Sequence, residues 1–239
     1  WNRDKRLTLS QINQLKYYSN LAVKQKLDAL PLSNPLIKRI KVKLQLVNPT
    51  QRAYALLTAK STSNQTPPIN ITSSFSQNNA VYSFSPLKEK TINGLYTARG
   101  FSNDYLTSHT EIAERVTNDN QIIGLSKDGS QTASDIEQQL ASLYQVNYSQ
   151  QWESIVNHLK IKKTDTDNSL IQQLQELSNN NSDFKTALTV ISNNTKSISA
   201  SNIKIADEFS AINMFMSSDI QNNYLKLESI CEQISRYIQ

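Results

Sequence analysis

Thiol, imidazole and glycine are scarce: the 239 residues include one cysteine, two histidines and four glycines. A single thiol, Cys231, excludes an internal disulfide framework and any zinc site built from several cysteines, and it leaves the redox compartment unreadable. His109 and His158, with so few glycines, leave little material for imidazole catalysis or for a loop that cradles phosphate. No apolar run approaches the roughly 20 residues that cross a bilayer, so neither a spanning helix nor a signal h-region is expected here. The first residue is Trp1 and not Met, which leads us to expect a piece of a longer chain. What is present suffices for a real core, since this length allows one or two domains of roughly 150 residues each.

Charge is unevenly spread. Residues 1–60 hold 12 Lys and Arg against 2 Asp and Glu, a balance of +10; the remaining positions hold 13 against 18, or −5. A basic first quarter suits nucleic acid, acidic lipid headgroups or the acidic remainder of the same chain. The basic residues alternate with apolar ones at helical spacing, as on a solvated helix face, and no nucleic-acid module or aromatic stacking pattern accompanies them.

Apolar periodicity predicts helices in most of the chain. Ser10 is a plausible N-cap for a helix through Ile12, Leu15, Ala22 and Leu30, which Pro31 and Pro35 end. Leu36 to Val47 fits both a strand and a helix face; its length and the following Asn48-Pro49, a good N-cap and N1, favour helix. Ser61 to Pro68 reads as a loop. Ile69–Ile71, Val81–Phe84 and Ile92–Thr97 read as short strands. Capping boxes at Ser108/Glu111 and Ser134/Glu137 open two further helices. The second carries one continuous apolar face: Ile136, Leu140, Leu143, Tyr144, Tyr148, Trp152, Ile155, Val156 and Leu159. Leu170–Leu177, closed by the asparagines 179–181, Phe184–Ile191, Ile205–Phe215 and Ile220–Ile238 complete the helical pattern.

Candidate chemistry fails on inspection. Gly124 to Gln131 has the glycine spacing of a phosphate loop but lacks the following Lys and Ser/Thr, so a polar turn is the better reading. Neither histidine has a second ligand or a nucleophile beside it, which points to surface or cap roles. Asp165, Asp167 and Asn168 lack the glycine and closing glutamate of a calcium loop and read as helix capping. Cys231 lies on an apolar helix face as a small hydrophobe.

Several stretches, in order, resemble the periplasmic part of the TssM/IcmF family of type VI and related type IVB secretion systems. Asn34 to Leu44, basic and leucine-spaced, precedes Arg52-x-Tyr54-x-x-Leu57. Ile92 to Phe101 resembles the family's aromatic-Thr-x-x-Gly-aromatic signature, here Tyr96, Thr97, Gly100 and Phe101, with Tyr105 as the later aromatic. Tyr144, Tyr148 and Trp152, four apart, are similar to its long helix, and Asn181–Leu188, Asn194-Thr195 and Ile205–Ile212 resemble the stretches after it. Asp183-Phe184 replaces the usual Pro-Leu, and Gln121 to Gly124 stands where Trp-Val-x-Gly is common. The resemblance covers about residues 10 to 239 and implies a mainly helical periplasmic arm anchored by upstream transmembrane segments. It also implies a cytoplasmic domain before the arm, at times with a nucleotide-binding motif, and a β-rich domain after it.

The expectations are therefore these. The fold is mainly α, an elongated bundle of amphipathic helices with a minor extended or β segment around residues 69–97. It divides into a helical segment 1–60, a loop and short strands over 61–107, and a helical bundle over 108–239. Tyr144, Tyr148 and Trp152 are expected to pack in the core, and Gly100 to permit a positive φ or a close backbone approach. No catalytic, metal or cofactor residue is assigned, and no nucleic acid is expected. Partner contacts are placed at Tyr96, Arg99 and Phe101 and at Lys38, Arg39, Lys41 and Lys43. The resemblance implies a scaffold that meets a TssL/DotU-like inner-membrane protein, a TssJ-like outer-membrane lipoprotein and copies of itself. The rival classes are a basic nucleic-acid-binding module and an enzyme whose site assembles from distant residues.

Overall fold

The computed structural model describes residues 13–14, 16–17, 19–20, 34–71, 82–84, 91–122, 124, 131–179, 181–200, 202–217 and 220–238. The chain forms two compact units, 1–46 and 47–239, and it is mainly helical with small two-stranded sheets. The expected N-cap Ser10 and most of its helix lie outside the described residues, as does most of the turn from Gly124 to Gln131.

In the first unit, α1 spans Asn34–Gln45, so helix prevails over strand alternation. Four cations and no carboxylate lie within it.

The second unit opens with α2, Pro49–Ser63, where the Asn48 side chain accepts from the Thr50 amide at 2.8 Å and Pro49 stands in the first turn, as expected. This helix continues three residues into the expected loop before turning at Asn64 and Gln65. Two strands follow in the expected region, β1 (Ile69–Asn70) and β2 (Tyr82–Phe84), and then β3 (Thr91–Ile92). β1 pairs antiparallel with β3, setting Ile69 opposite Ile92. β2 pairs instead with β4, Leu159–Ile161. Leu159, expected at the end of the long helix face, thus belongs to a strand.

The next helix, α3, spans His109–Ile122. The expected cap at Ser108 does not form, because the preceding chain is already coiled and the Ser108 hydroxyl donates to the Asp104 carbonyl. The 26-residue α4, Ala133–His158, starts slightly earlier than expected, at a capping box of Thr132 and Asp135. Glu137, read as the closing member of a box, instead accepts from Thr110 at 3.0 Å and faces His109 at 3.1 Å.

Beyond β4 come α5 (Asp167–Ser178), α6 (Asp183–Thr195), the hairpin of β5 (Ser199–Ala200) and β6 (Ile203–Lys204), α7 (Ile205–Glu208), α8 (Ser210–Phe215) and α9 (Ile220–Ile238). Thr166 caps α5 with Asp167 in its first turn, so the capping expected of Asp165, Asp167 and Asn168 falls to the threonine between them. The run expected as one helix over 205–215 breaks at Phe209, whose backbone leaves helical geometry while its ring is buried. α9 packs along α5, and Cys231 on it is buried.

The core lies between α2, α3, α4 and α6. Ala53, Leu57, Ile92, Ile136, Leu140, Tyr144, Tyr148, Trp152, Ile155 and Ile191 are all fully buried. Burying each large apolar side chain contributes about 1.5–3 kcal/mol before chain entropy is counted. The face of α4 read from periodicity is therefore the centre of the unit.

Candidate functional site

The family-like signature occupies an irregular passage between β3 and α3. Ile92, at the end of β3, is buried, and the Asn93 side chain accepts from the Leu95 amide at 2.9 Å to open a 3-10 turn, Gly94–Tyr96. The Thr97 hydroxyl donates to the Gly94 carbonyl at 2.7 Å and accepts from the Gly100 amide at 3.1 Å. One side chain thereby closes the first turn and caps the next, Ala98–Gly100. A π-turn over Phe101–Tyr105 follows, closed by Leu106 N–H on the Phe101 carbonyl at 2.9 Å.

Both glycines are held by crowding. A Cβ on Gly94 would sit 2.1 Å from the Thr66 carbonyl oxygen, and one on Gly100 would sit 2.1 Å from that of Gly94. Gly100 has φ −64 and ψ −39, so the close backbone approach is the reason for glycine there and positive φ is not.

The long helix supplies the donors that this passage lacks. Tyr144 Oη donates to the Leu95 carbonyl at 2.8 Å, and Trp152 Nε1 donates to that of Tyr96 at 2.8 Å. Tyr148 Oη donates to the Asn194 carbonyl at 2.5 Å, while Asn194 Oδ1 accepts from the Ala98 amide at 3.0 Å. Residues four apart share a helix face, so the 144, 148, 152 spacing sets three donors in a row, the outer two on the passage and the middle one on Asn194 of α6. Their rings add to the packing: Tyr105 stacks on Tyr144 at 4.3 Å and on His109 at 4.8 Å, and Tyr96 meets Tyr148 edge-on at 6.2 Å. Core packing was the reading of these three residues, and all are fully buried.

Burial sets their acidity. Desolvation raises the phenols of Tyr144 and Tyr148 well above the ordinary value, and pushes Tyr105 up to about 12 with the Glu137 carboxylate adding to the rise. The phenols therefore stay protonated at neutral pH and serve as donors.

Asp104 is fully buried at the back of the π-turn. Its carboxylate accepts from Asn64 Nδ2 at 2.8 Å and from Thr66 Oγ1 at 2.7 Å, tying down the turn in which Gln65 adopts φ 51. Asp104 did not stand out in sequence, because a single polar residue in an aperiodic stretch carries no pattern, and Asn194 entered only through the family resemblance of Asn194-Thr195, with no sign of its partner at Ala98.

The sequence-predicted site residues separate into two places. Tyr96, Arg99 and Phe101 come together in the signature: Phe101 is 3 % exposed and stacked on Tyr105 at 5.7 Å, and half-buried Tyr96 shares a hydroxyl hydrogen bond with Tyr54. Arg99 is exposed, beside exposed Ser102 and Asn103. Lys38, Arg39 and Lys43 are exposed and Lys41 half-buried, all on α1 in the other unit. His109 Nδ1 lies 3.1 Å from the Tyr105 carbonyl, and His158 Nδ1 lies 2.6 Å from that of Ser154. Among the described residues no three His, Cys, Asp or Glu side chains gather as a metal site.

A family model described as "IcmF-related: Intracellular multiplication and human macrophage-killing" matches residues 2–196. The chain belongs to the IcmF-related family. IcmF-related proteins are membrane-associated structural components of secretion systems and not a known enzyme family. The matched region takes in the signature, all of α4 and Asn194, and it ends before β5, whereas the resemblance read from motifs extended to the end of the chain. No curated protein and no solved structure matches the chain. Among the described residues no helix of this IcmF-related chain is long and apolar enough to cross a membrane.

Proposed function

We propose that this IcmF-related chain is a scaffold segment that bridges the periplasm within a bacterial secretion-system membrane complex. Its contacts there are with a TssL/DotU-like inner-membrane protein, a TssJ-like outer-membrane lipoprotein and copies of itself. The observation that carries the reading is how the signature is used. Its hydroxyls, indole and carboxylate are taken up by backbone and neighbouring side chains, which makes a stiff support and leaves no group poised for chemistry. The support presents a small polar rim, Arg99, Ser102 and Asn103, with Leu106 at its edge. A rim of this kind suits a partner with carboxylates or carbonyls, because a guanidinium donates in a fixed fork.

The test is Arg99→Glu in the full-length protein within cells, read by co-purification of the complex and by secretion. Loss of both, with unchanged protein level and unchanged helical signal, is the expected result. Intact assembly would remove the rim as an interface. Protease added to spheroplasts is expected to cleave residues of this chain that are protected in whole cells; protection in both would overturn the periplasmic placement.

A further inference from the structure

The helix α1 exposes an unusual face. Three i, i+4 rows run side by side along it: Leu36 with Ile40, Arg39 with Lys43, and Val42 with Leu46 at the turn that ends the helix. The four aliphatic side chains are 54, 48, 56 and 81 % exposed in the order Leu36, Ile40, Val42, Leu46. The cationic row lies between the two apolar rows. Ile37 and Leu44, on the other side of the Leu36 row, are half-buried. No carboxylate occurs in the helix to neutralise Lys38, Arg39, Lys41 and Lys43.

Exposed aliphatic rows are costly in water, and here they come with a charge pattern that selects what covers them. A second copy in a two-fold arrangement would set Arg39 and Lys43 against their own equivalents, which repel. Protein interfaces favour aromatic and Met anchors in pockets, whereas this face is a single convex helix bearing only aliphatic side chains and cations. An anionic bilayer surface answers each feature. Aliphatic rows dip below the headgroups, and Arg and Lys stems lie along apolar surface while their charged ends reach the phosphates. A helix of 12 residues, about 18 Å long, lies flat in such an interface and is too short to cross it.

We infer that α1 is an interfacial helix that docks this chain on an anionic lipid surface through Leu36, Ile40, Val42 and Leu46 with Arg39 and Lys43. This contact does not depend on the Arg99 rim, so the two fail separately.

The probe is co-sedimentation of the 239-residue chain with vesicles of phosphatidylcholine, alone or with one-third phosphatidylglycerol. The wild type is expected to sediment with the anionic vesicles only. Each cation near the surface accounts for about fivefold in affinity, so Arg39→Gln with Lys43→Gln is expected to weaken binding about 25-fold. Leu36→Gln with Ile40→Gln, which keeps every charge, is expected to weaken it at least about tenfold. Circular dichroism of each variant checks that the fold is retained. No binding to anionic vesicles overturns the inference, as does equal binding to both vesicle types. Wild-type affinity in the Leu36/Ile40 variant overturns it too, since a purely electrostatic adsorption needs no apolar row. Should vesicles fail while Arg39→Gln with Lys43→Gln abolishes co-purification of a protein partner, the face is a site for an acidic protein and not for lipid.

Discussion

Replacing Gly100 with alanine separates two opposite physical expectations. Gly100 has helical φ and ψ, and at such a position Gly→Ala ordinarily stabilises by about 0.4–1 kcal/mol through the unfolded chain. Here the new methyl would stand 2.1 Å from the Gly94 oxygen, 2.7 Å from the Leu95 oxygen and 2.8 Å from the Leu95 carbonyl carbon. All three are backbone atoms and cannot swing aside as a side-chain tip would. Relief requires the 94–95 backbone to move, and its carbonyls accept from Thr97 at 2.7 Å and from Tyr144 at 2.8 Å. Losing two buried hydrogen bonds costs about 1–3 kcal/mol each, which outweighs the entropic gain. A net loss of about 1–5 kcal/mol follows. Urea unfolding followed by far-ultraviolet circular dichroism and by fluorescence of buried Trp152 measures it. Tyr144→Phe should cost less in the Gly100→Ala background than in the wild type, because both changes remove the same bond. Unchanged or raised stability of Gly100→Ala would refute the claim that backbone crowding holds the signature.

Two further outcomes follow from burial. Tyr54, Tyr96, Tyr105, Tyr144 and Tyr148 all have phenol pKa values raised by desolvation. The unfolded chain loses these protons near 10 while the folded chain keeps them, so stability is fully present below pH 10 and falls as pH rises beyond it, for Tyr105 up to about 12. Absorbance at about 295 nm should show the phenolates of these five tyrosines appearing only together with loss of helical signal; ionisation of all ten tyrosines near pH 10 with the helices intact would contradict it. Asp104→Asn turns an acceptor towards Asn64 or Thr66 into a donor, with an expected loss of about 1.5–3 kcal/mol. Faster amide exchange over residues 64–66 should accompany that loss, and wild-type exchange would refute the role of Asp104.

The parts legible in sequence were those with a period. The apolar stripe of α4 marked the core down to Tyr144, Tyr148 and Trp152, and Asn48-Pro49 marked the start of α2 because cap chemistry is local. Capping boxes misled where two overlapped: Thr132/Asp135 and Ser134/Glu137 have the same spacing, and the choice between them depends on His109 and Thr110, which claim Glu137 from another helix. Leu159 continued the helical period yet became a strand because β2, from 75 residues earlier, pairs with it. Phe101 illustrates the limit at the site. An aromatic beside a glycine marks either a presented loop or a buried anchor, and what separates the two is whether Tyr105 and Tyr144 lie over it. Asp104 and Asn194 act across 38 to 96 positions of sequence, and such pairings leave no local trace.

The wiring of the signature also dictates when it can form. Its carbonyls at Leu95 and Tyr96 find their donors 49 and 56 residues later, and the Ala98 amide finds its acceptor 96 residues later. Doubling a loop costs only about 0.6 kcal/mol more in closure entropy, so the second closure is nearly free in energy once the first is made. It is not free in time. A chain that emerges N-terminus first leaves the carbonyls of Leu95 and Tyr96 without their side-chain donors until Trp152 has appeared, and the Ala98 amide stays unpaired until Asn194 has followed. Completion of the stiff support thus reports that α4 and α6 have both been delivered, which ties the moment of rigidity to the arrival of nearly the whole region that defines the family.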